Sequence, residues 1–393
     1  METKKIWLSL AKMSGREQDF IQEAFETNWV VPLGPNVDGF EHDLQNYLGE
    51  DRQVVALSAG TAALHLALIQ LDVKAGDEVI CQSFTFVASA NPITYLGATP
   101  VFIDSEAETW NMDPLLLETA IQDRFNQTGK YPKAIIPVHL YGMPAKMKEI
   151  LAIASGYNIP VLEDAAEALG SEYKGKSCGT FGDFGVLSFN GNKMITTSGG
   201  GALICRTSKE ASRTKFYATQ ARDNAPHYQH SEIGYNYRMS NICAGIGRGQ
   251  MYVLESHLAR RREIHSLYLK KLSGLKGLTV FDKPSAEYES NFWLTCIQVN
   301  PVLCGFAREE VRMAMDAANI ETRPLWKPMH LQPVFAGAPY YGNGIAEHLF
   351  ENGLCLPSGP NLTDVDIERV VDVIQGLYSK VASLAESAEN VAI

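Results

Sequence analysis

One lysine of this chain stands in a setting that could support covalent chemistry. Lys193 lies in the stretch SFNGNKMITTSGGG (Ser188–Gly201), among small polar residues and glycines, directly after an apolar run. A lysine amine attacks a carbonyl carbon once desolvation or a cationic neighbour makes it nucleophilic. Taken alone, Lys193 is better explained as a solvated surface residue, because most lysines are exposed.

A second stretch, SAGT (Ser58–Thr61), has the pattern of an anion site. Gly60 permits a tight turn, and Thr61 offers a hydroxyl and a backbone N–H at the start of the helical pattern TAALHLALIQL. The N-terminus of a helix favours phosphate because of its dipole and its free N–H groups. An ordinary helix cap explains the same residues about equally well. Gly199–Gly201 lack the spacing of a dinucleotide fingerprint and predict a turn into a strand.

Two further residues follow predicted strands and could contact a flat ring. Asp164 ends the strand pattern IPVLED and could bind a protonated ring nitrogen. The run DAAE (Asp164–Glu167) also fits a helix-capping box, and this alternative is favoured when Asp164 is considered alone. Phe86 could stack on the ring, although a lone aromatic residue more often belongs to the core.

Considered together, these residues suit one ligand with four features. Thr61 and Ser188 would bind a phosphate, and Phe86 would stack on an aromatic ring. Asp164 would bind a basic ring nitrogen, and Lys193 would attack a carbon that is open to an amine. Pyridoxal 5′-phosphate has all four features, since a carboxylate keeps its ring nitrogen protonated and a lysine forms its Schiff base.

The elements that must position these residues alternate along the chain. Apolar runs such as VVAL, EVICQ, TPVFID, KAIIPVHL and FGVLSF predict strands. The segment DPLLLETAIQDRF predicts a helix, with Asp113 as N-cap and Pro114 at the first helical position. Apolar strands that alternate with helices indicate an α/β fold with a parallel sheet covered on both faces. Ligands of such sheets bind beyond the carboxyl ends of the strands, where the residues above are predicted to lie.

Composition limits the function classes. The chain has 393 residues, is 46% hydrophobic and carries a net charge of −11, so a large core is expected and a nucleic-acid-binding surface is disfavoured. No apolar run is long enough for a membrane span, and the N-terminus does not resemble a signal peptide. The seven cysteines lack C-x-x-C spacing, which argues against disulfides and zinc. We therefore expect a soluble, cytoplasmic protein without a bound metal.

Longer stretches have the form and the order of one enzyme family. They are SAGTAALHLAL, SFTFVASANPITYLGATPVFID, HLYGMPAKM, VLEDAAEALGSEYKGKSCGTFGDFGVLSFNGNKMITTSGGGAL, IGYNYRMSNICAGIGRGQ and MHLQPVF. Through them, nearly the whole chain resembles the DegT/DnrJ/EryC1/StrS sugar aminotransferases, which are fold type I pyridoxal-phosphate enzymes. The resemblance implies a large cofactor-binding domain, residues 1–255, with a mostly parallel seven-stranded sheet flanked by helices. It implies a smaller C-terminal α/β domain over residues 256–393.

The resemblance also implies a role for each candidate residue in binding pyridoxal phosphate. Lys193 would be the Schiff-base lysine, and Asp164 would be the partner of the pyridine nitrogen. Glu167 would lie near the ring hydroxyl, and Phe86 would stack on the ring. The residues that would hold the phosphate are Gly60, Thr61 and Ser188.

A residue that would act across subunits follows from the same resemblance. Asn236, in the stretch GYNYR, would reach the phosphate of the neighbouring subunit. This implies a homodimer with shared active sites. A turn residue is the alternative for Asn236, because Gly-Tyr-Asn also suits a turn.

The lysine stretch resembles a narrower group within the family. Many members have histidine where Asn190 stands, whereas SFNGNKMITTSGGG and FYATQARDNAPHYQHSEIGYNYRMSN are similar to aminotransferases of the UDP-N,N′-diacetylbacillosamine pathway. The similarity implies that L-glutamate aminates C4 of a UDP-linked 2-acetamido-2,6-dideoxy-4-keto-hexose. The product would be a UDP-4-amino-4,6-dideoxy-N-acetylglucosamine for protein or surface glycosylation. By family position, the sugar nucleotide would contact Asn28, Trp29, Val30, Val31, Asn190, His330, Leu331 and Gln332.

Several alternatives stay open at this point. GDP-perosamine synthases share EDAAEALG and GNK with this chain, and a dTDP-4-amino-4,6-dideoxyhexose transaminase is a further alternative. A pyridoxal-phosphate sugar dehydratase is disfavoured because the 3-dehydratases have histidine in place of Lys193. A non-catalytic regulator is disfavoured for lack of a DNA-binding segment, and a Rossmann oxidoreductase for lack of the glycine fingerprint.

Overall fold

A computed structural model describes residues 4–49 and 51–391 of the chain. The helices are α1 (Glu17–Glu26), α2 (Pro35–Leu48), α3 (Gly60–Gln70), α4 (Asn91–Tyr95), α5 (Pro114–Thr128), α6 (Met147–Gly156), α7 (Ser208–Ala218), α8 (Asn241–Met251), α9 (Leu254–Leu272), α10 (Pro301–Cys304), α11 (Arg308–Ala317), α12 (Ile345–Asn352) and α13 (Asp364–Val391). The strands are β1 (Gln53–Leu57), β2 (Glu78–Gln82), β3 (Thr99–Ile103), β4 (Ala134–Ile136), β5 (Leu162–Asp164), β6 (Glu172–Tyr173), β7 (Lys176–Ser177), β8 (Phe184–Ser188), β9 (Gly201–Cys205), β10 (Leu278–Val280), β11 (Tyr288–Glu289), β12 (Thr295–Val299), β13 (Arg323–Pro324), β14 (Tyr340–Tyr341) and β15 (Gly353–Leu356).

The central sheet confirms the predicted, mostly parallel architecture. Its two halves run in the order β1-β9-β8-β5 and β4-β2-β3-β14. Parallel bridges from Ile135 to Val161 and from Val138 to Asp164 join β4 to β5. β9 is antiparallel to its neighbours β1 and β8. The pairs β8–β5, β4–β2, β2–β3 and β3–β14 are parallel. Beside the seven predicted strands, the two-residue strand β14 adds an edge that the sequence did not reveal.

Alternating residues of the buried strands enter two different apolar layers. Val79 and Cys81 of β2 pack in the layer that contains α3, whereas Ile80 packs in the layer that contains α5 and α6. A strand that is covered on both faces must be apolar at nearly every position, which explains the uninterrupted run EVICQ. The predicted start of α5 is confirmed, because Oδ1 of Asp113 accepts hydrogen bonds from the backbone N–H groups of Leu115 and Leu116.

A second, antiparallel sheet in the order β10-β12-β15-β13 lies in the C-terminal part of the chain. Its apolar side packs with α9, α11 and α13, and Ile6 from the N-terminal segment joins the same layer. Ile6 also forms a parallel bridge with Ile320. The domain division into residues 1–255 and 256–393 stays a prediction. Among the described residues, no helix has the length and hydropathy that would let it cross a membrane.

Candidate active site

A cavity of about 840 Å³ lies between the carboxyl end of the central sheet, the small sheet and the N-terminal segment. It brings together residues that are more than a hundred positions apart in the sequence. The predicted site residues that line it are Gly60, Thr61, Phe86, Ser188, Asn190 and Lys193. The predicted convergence beyond the strand ends is therefore present for these six residues, whereas Asp164 and Glu167 are buried and do not line the cavity.

Lys193 is held in a turn after β8, with its amine inside the cavity. Its backbone N–H donates to the carbonyl oxygen of Asn190 at 3.0 Å. Its Nζ lies 3.2 Å from Oε1 of Glu167 and 4.1 Å from the ring centre of Trp293. The side chain is only 12% exposed, so the alternative of a solvated surface lysine is wrong.

Glu167 is a buried carboxylate that binds Lys193 and the backbone. Its Oε2 accepts a hydrogen bond from the N–H of Tyr141 at 2.7 Å. Burial raises the pKa of Glu167 to about 7, although the Lys193 ammonium and the Tyr141 N–H both favour its ionised form. The carboxylate can therefore exchange a proton near neutral pH, directly beside the amine.

Asp164 ends β5 and does not begin a helix. Its Oδ2 accepts a 2.6 Å hydrogen bond from Oγ of Ser89, and its Oδ1 accepts one from the N–H of Ala166 at 3.1 Å. The chain continues through turns, and the carboxylate of Glu167 is used by Lys193 and Tyr141. The capping-box alternative is therefore wrong, because there is no helix for Asp164 to cap.

The N-terminus of α3 is open toward the cavity. The N-cap residue is Ala59, which has no side-chain acceptor for the N–H groups of the first turn. Ser188 stands beside this turn, since a Cβ placed on Gly60 would come within 3.3 Å of the Ser188 Cβ. A Cβ on Gly201 would lie 2.3 Å from the backbone nitrogen of Gly60, so only glycine lets β9 pass under the helix start. The uncapped amides and the Ser188 hydroxyl form a cradle for an anion.

Phe86 lies at the mouth of the cavity and is 54% exposed, so it is not a core residue. Its ring centre lies 5.5 Å from that of Trp326, with the two planes at 49°. An exposed ring face beside a cavity leaves room for a flat ligand to stack.

Other predicted residues do not line this cavity. Asn236 is exposed and forms an isolated bridge with Thr219. His330 is stacked on Tyr340 at 3.6 Å and pairs with Ser83 and Glu347. The exposed segment Asn28, Trp29, Val30 and Val31 lies in the loop between α1 and α2. Leu331 and Gln332 follow His330 in a short turn next to Lys327, whose carbonyl oxygen accepts from Gln332.

Sequence reasoning missed the residues that the small sheet and the N-terminal segment contribute. Three of the five tryptophans in the chain border the cavity, namely Trp7, Trp293 and Trp326. Arg323 and Glu321 line it as well. The rarity of tryptophan was an available signal, but no local pattern connects these positions to Lys193.

The residues present fit pyridoxal phosphate. The uncapped start of α3 together with Ser188 would hold the phosphate. The buried carboxylate of Asp164, anchored by Ser89, would face the ring nitrogen, and Phe86 would cover the ring. Lys193 presents the amine that the cofactor requires.

Comparisons with known proteins agree with this geometry. The profile of the DegT/DnrJ/EryC1/StrS aminotransferase family matches residues 12–375. The chain is 50% identical over 382 residues to EpsN of Bacillus subtilis (strain 168), named as a proposed pyridoxal phosphate-dependent aminotransferase, with 96% of this chain and 97% of the relative covered. It is 37% identical over 367 residues to the GDP-perosamine synthase of Caulobacter vibrioides, with 93% and 96% covered.

A solved structure extends the comparison to the cofactor. A proposed sugar aminotransferase of Streptococcus pneumoniae in its PLP form superposes with a TM-score of 0.86 at 27% identity. The match covers 96% of this chain and 100% of that structure. The fold type I assignment and the pyridoxal-phosphate requirement are thereby confirmed. The chain belongs to the DegT/DnrJ/EryC1/StrS family and is a pyridoxal-phosphate-dependent sugar aminotransferase.

Proposed function

We propose that the enzyme transfers the amino group of L-glutamate to C4 of a UDP-linked 2-acetamido-2,6-dideoxy-4-keto-hexose, in the cytoplasm. The observation that carries the transferase part is the amine of Lys193, which faces the cavity 3.2 Å from the carboxylate of Glu167. The UDP sugar is supported by the form of the lysine stretch, with asparagine at position 190. The product is a UDP-4-amino-4,6-dideoxy-N-acetylglucosamine.

We assign the cofactor contacts as the sequence predicted them. Pyridoxal phosphate, when bound, supplies a carbon that takes up an amine and a ring that withdraws electrons from the neighbouring bonds. Asp164 would hold a proton on the ring nitrogen, and Glu167 would lie near the ring hydroxyl. Phe86 would cover one face of the ring. The phosphate would be held by Gly60, Thr61 and Ser188, with Asn236 of the partner subunit.

Lys193 moves the protons of both half-reactions. In the first, its amine would take the proton from the α-carbon of L-glutamate. The amino group would stay on the cofactor, and water would supply the keto oxygen of the departing 2-oxoglutarate. In the second, the keto oxygen of the sugar would leave as water when the C–N bond forms, and the same amine would deliver a proton to C4. Glu167 keeps the free amine oriented between these steps, because its Oε1 accepts a hydrogen bond from Nζ.

We propose that two copies of the chain share their sites. Trp29, Val30 and Val31 follow one another in one loop and are exposed apolar residues, with 38%, 46% and 41% of their surface accessible. Such a patch is typical of a protein–protein interface. In the dimer, this loop, Asn236 and the segment His330–Gln332 would complete the binding surface for the sugar nucleotide, to which Asn190 contributes from the cavity itself.

A GDP-linked sugar is the second candidate substrate. The observation that favours it is the 37% identity to a GDP-perosamine synthase over 93% of the chain. The chemistry at C4 is the same for both sugars, so the Lys193 and Glu167 geometry does not discriminate between them. The discriminating contacts are those to the nucleotide base.

The experiment is an end-point assay with L-glutamate and three 4-keto sugars, linked to UDP, GDP or dTDP. Formation of 2-oxoglutarate is followed and the amino sugar is identified by NMR. We expect turnover with the UDP-2-acetamido sugar and none with the others. Turnover with the GDP sugar would show that the substrate is GDP-linked and would leave the proposed transfer chemistry unchanged. The Lys193→Ala variant is the matched control for activity that does not come from this site.

A further inference from the structure

Three side chains that line the cavity carry a charge. They are Lys193, Glu321 and Arg323. Arg323 belongs to β13 at the edge of the small sheet, and its Cα partner across the ladder is Cys355, which also lines the cavity. The cavity wall therefore includes an arginine in addition to the reactive lysine, and the proposed cofactor contacts do not use it.

The guanidinium is only partly engaged in the free protein. Its Nε and Nη2 both donate to one oxygen, Oε1 of Glu321, at 3.2 and 2.8 Å. The second oxygen of Glu321 accepts the backbone N–H of Leu8 at 3.1 Å, which fixes the carboxylate to the N-terminal segment. Within the described part of the chain, Nη1 of Arg323 makes no hydrogen bond, and the side chain is 68% exposed.

We infer that Arg323 is the anion-binding residue for substrates in this cavity, and that Glu321 occupies its guanidinium until a substrate arrives. The inference rests on the proposed function. A planar guanidinium donates in parallel to two oxygens of a carboxylate or a phosphate, whereas here Nε and Nη2 share a single carboxylate oxygen. The guanidinium half of this ion pair is exposed and therefore screened by water, so an incoming anion can take the place of Glu321.

Two substrates of the proposed reaction carry the required anionic oxygens. L-Glutamate has two carboxylates, and the sugar nucleotide has a diphosphate. Because they occupy the site in alternate half-reactions, the same guanidinium can serve one or both of them. Either anion must be held while its reacting atom is at Lys193, and Arg323 lines the same cavity as that amine.

The test uses the holoenzyme with single substitutions. Arg323→Gln removes the charge and keeps a polar side chain. Glu321→Gln removes the competing charge and keeps an oxygen for the N–H of Leu8. The matched control is Arg312→Gln, since Arg312 forms a similar exposed pair with Glu309 on α11, outside the cavity. The half-reaction with L-glutamate is followed by the absorbance of the cofactor, and binding of UDP and of GDP is measured by calorimetry.

Arg323→Gln should raise the glutamate concentration for half-maximal rate, the Kd of the nucleoside diphosphate, or both, by about tenfold or more. A higher glutamate concentration for half-maximal rate assigns the guanidinium to the donor carboxylate. A higher Kd of the nucleoside diphosphate assigns it to the diphosphate. Glu321→Gln should lower the same constant by about two- to fivefold, because a competing ion pair is lost.

Two results would overturn the inference. One is that Arg323→Gln changes neither constant by more than about twofold. The other is that Arg312→Gln changes them as much as Arg323→Gln does. Neither measurement uses a keto sugar, so a failure of the proposed substrate would appear only in the wild-type assay with 4-keto sugars and is distinguishable from a failure at Arg323.

Discussion

Nζ of Lys193 lies 3.2 Å from Oε1 of Glu167, and both side chains are nearly buried, with 12% and 4% of their surface exposed. The two residues come from different loops after neighbouring strands, β8 and β5. The ring of Trp293 covers the amine from the small-sheet side. A buried amine beside a buried carboxylate provides a proton donor and a proton acceptor in contact, which is what a transamination needs at its reacting carbon.

The cofactor-free protein should lose stability as the pH rises through about 7, in part because of Glu167. Its pKa in the folded state is about 7, against an ordinary value of 4.5, because burial disfavours the carboxylate. The folded state therefore binds the proton more tightly, and this contribution is complete below pH 4.5 and lost as the pH rises through 7. The Glu167→Gln variant lacks this contribution. Its free energy of unfolding should therefore fall less than that of the wild type over this pH range, by a difference of the order of 3 kcal/mol.

Urea unfolding of the cofactor-free wild type and of Glu167→Gln between pH 5 and pH 8 measures this difference. The exposed residue Glu309 provides the control variant Glu309→Gln, which should keep the wild-type dependence. Parallel curves for the wild type and Glu167→Gln would show that Glu167 does not titrate in this range.

The Asp164→Asn variant should bind the cofactor but turn over slowly. An amide cannot hold the ring nitrogen in its protonated form, so the electron withdrawal on which the reaction depends is lost. We expect kcat to fall by about a hundredfold or more. Asp19→Asn, at an exposed ion pair with Arg16, is the control and should retain full activity. An unchanged kcat for Asp164→Asn would remove the residue from the mechanism.

Glycine at position 201 should matter for cofactor affinity. A Cβ there would lie 2.3 Å from the backbone nitrogen of Gly60, so Gly201→Ala must displace the start of α3. We expect the Kd for pyridoxal phosphate to rise by about tenfold, since the helix amides that we propose to bind the phosphate would move. Gly199→Ala is the matched control, because its Cβ would meet no atom within 4 Å. Equal affinities of the two variants would argue against the phosphate cradle.

Shared active sites can be tested by mixing inactive chains. If Asn236 reaches the phosphate of the partner subunit, a heterodimer of Lys193→Ala and Asn236→Ala contains one site with both residues intact. Co-refolding the two variants should therefore restore part of the wild-type activity, up to about one quarter for random pairing of equal amounts. Activity that stays at the level of the separate variants would contradict sharing.

The sequence predicted the sheet and the core of the site because both depend on local patterns. Uninterrupted apolar runs indicated strands buried on two faces, and the residues after these strands were expected to converge. Lys193, Thr61 and Ser188 do line one cavity. The function of Asp164 was ambiguous because the capping box uses the same residue types. The absence of a helix after β5 within the described chain rules out the cap, and the contact of Asp164 with the cofactor ring stays a prediction.

The rest of the site could not be read from local patterns because it depends on long-range packing. Trp293 reaches Lys193 across 100 positions, and its Nε1 donates to the carbonyl oxygen of Asn192 at 2.7 Å. The pair of Glu321 with the N–H of Leu8 spans 313 positions. No periodicity or motif records such contacts, since each of these residues is also compatible with an ordinary surface or core position.

The most direct test of the account is to reduce the holoenzyme with sodium borohydride and to map the modified peptide by mass spectrometry. Reduction fixes the cofactor on the lysine that holds it. We predict that the label is found on Lys193, in the peptide that contains SFNGNKMITTSGGG, and that prior incubation with L-glutamate prevents labelling. A label on any other lysine, or labelling that L-glutamate does not affect, would contradict the central claim that Lys193 carries the reaction.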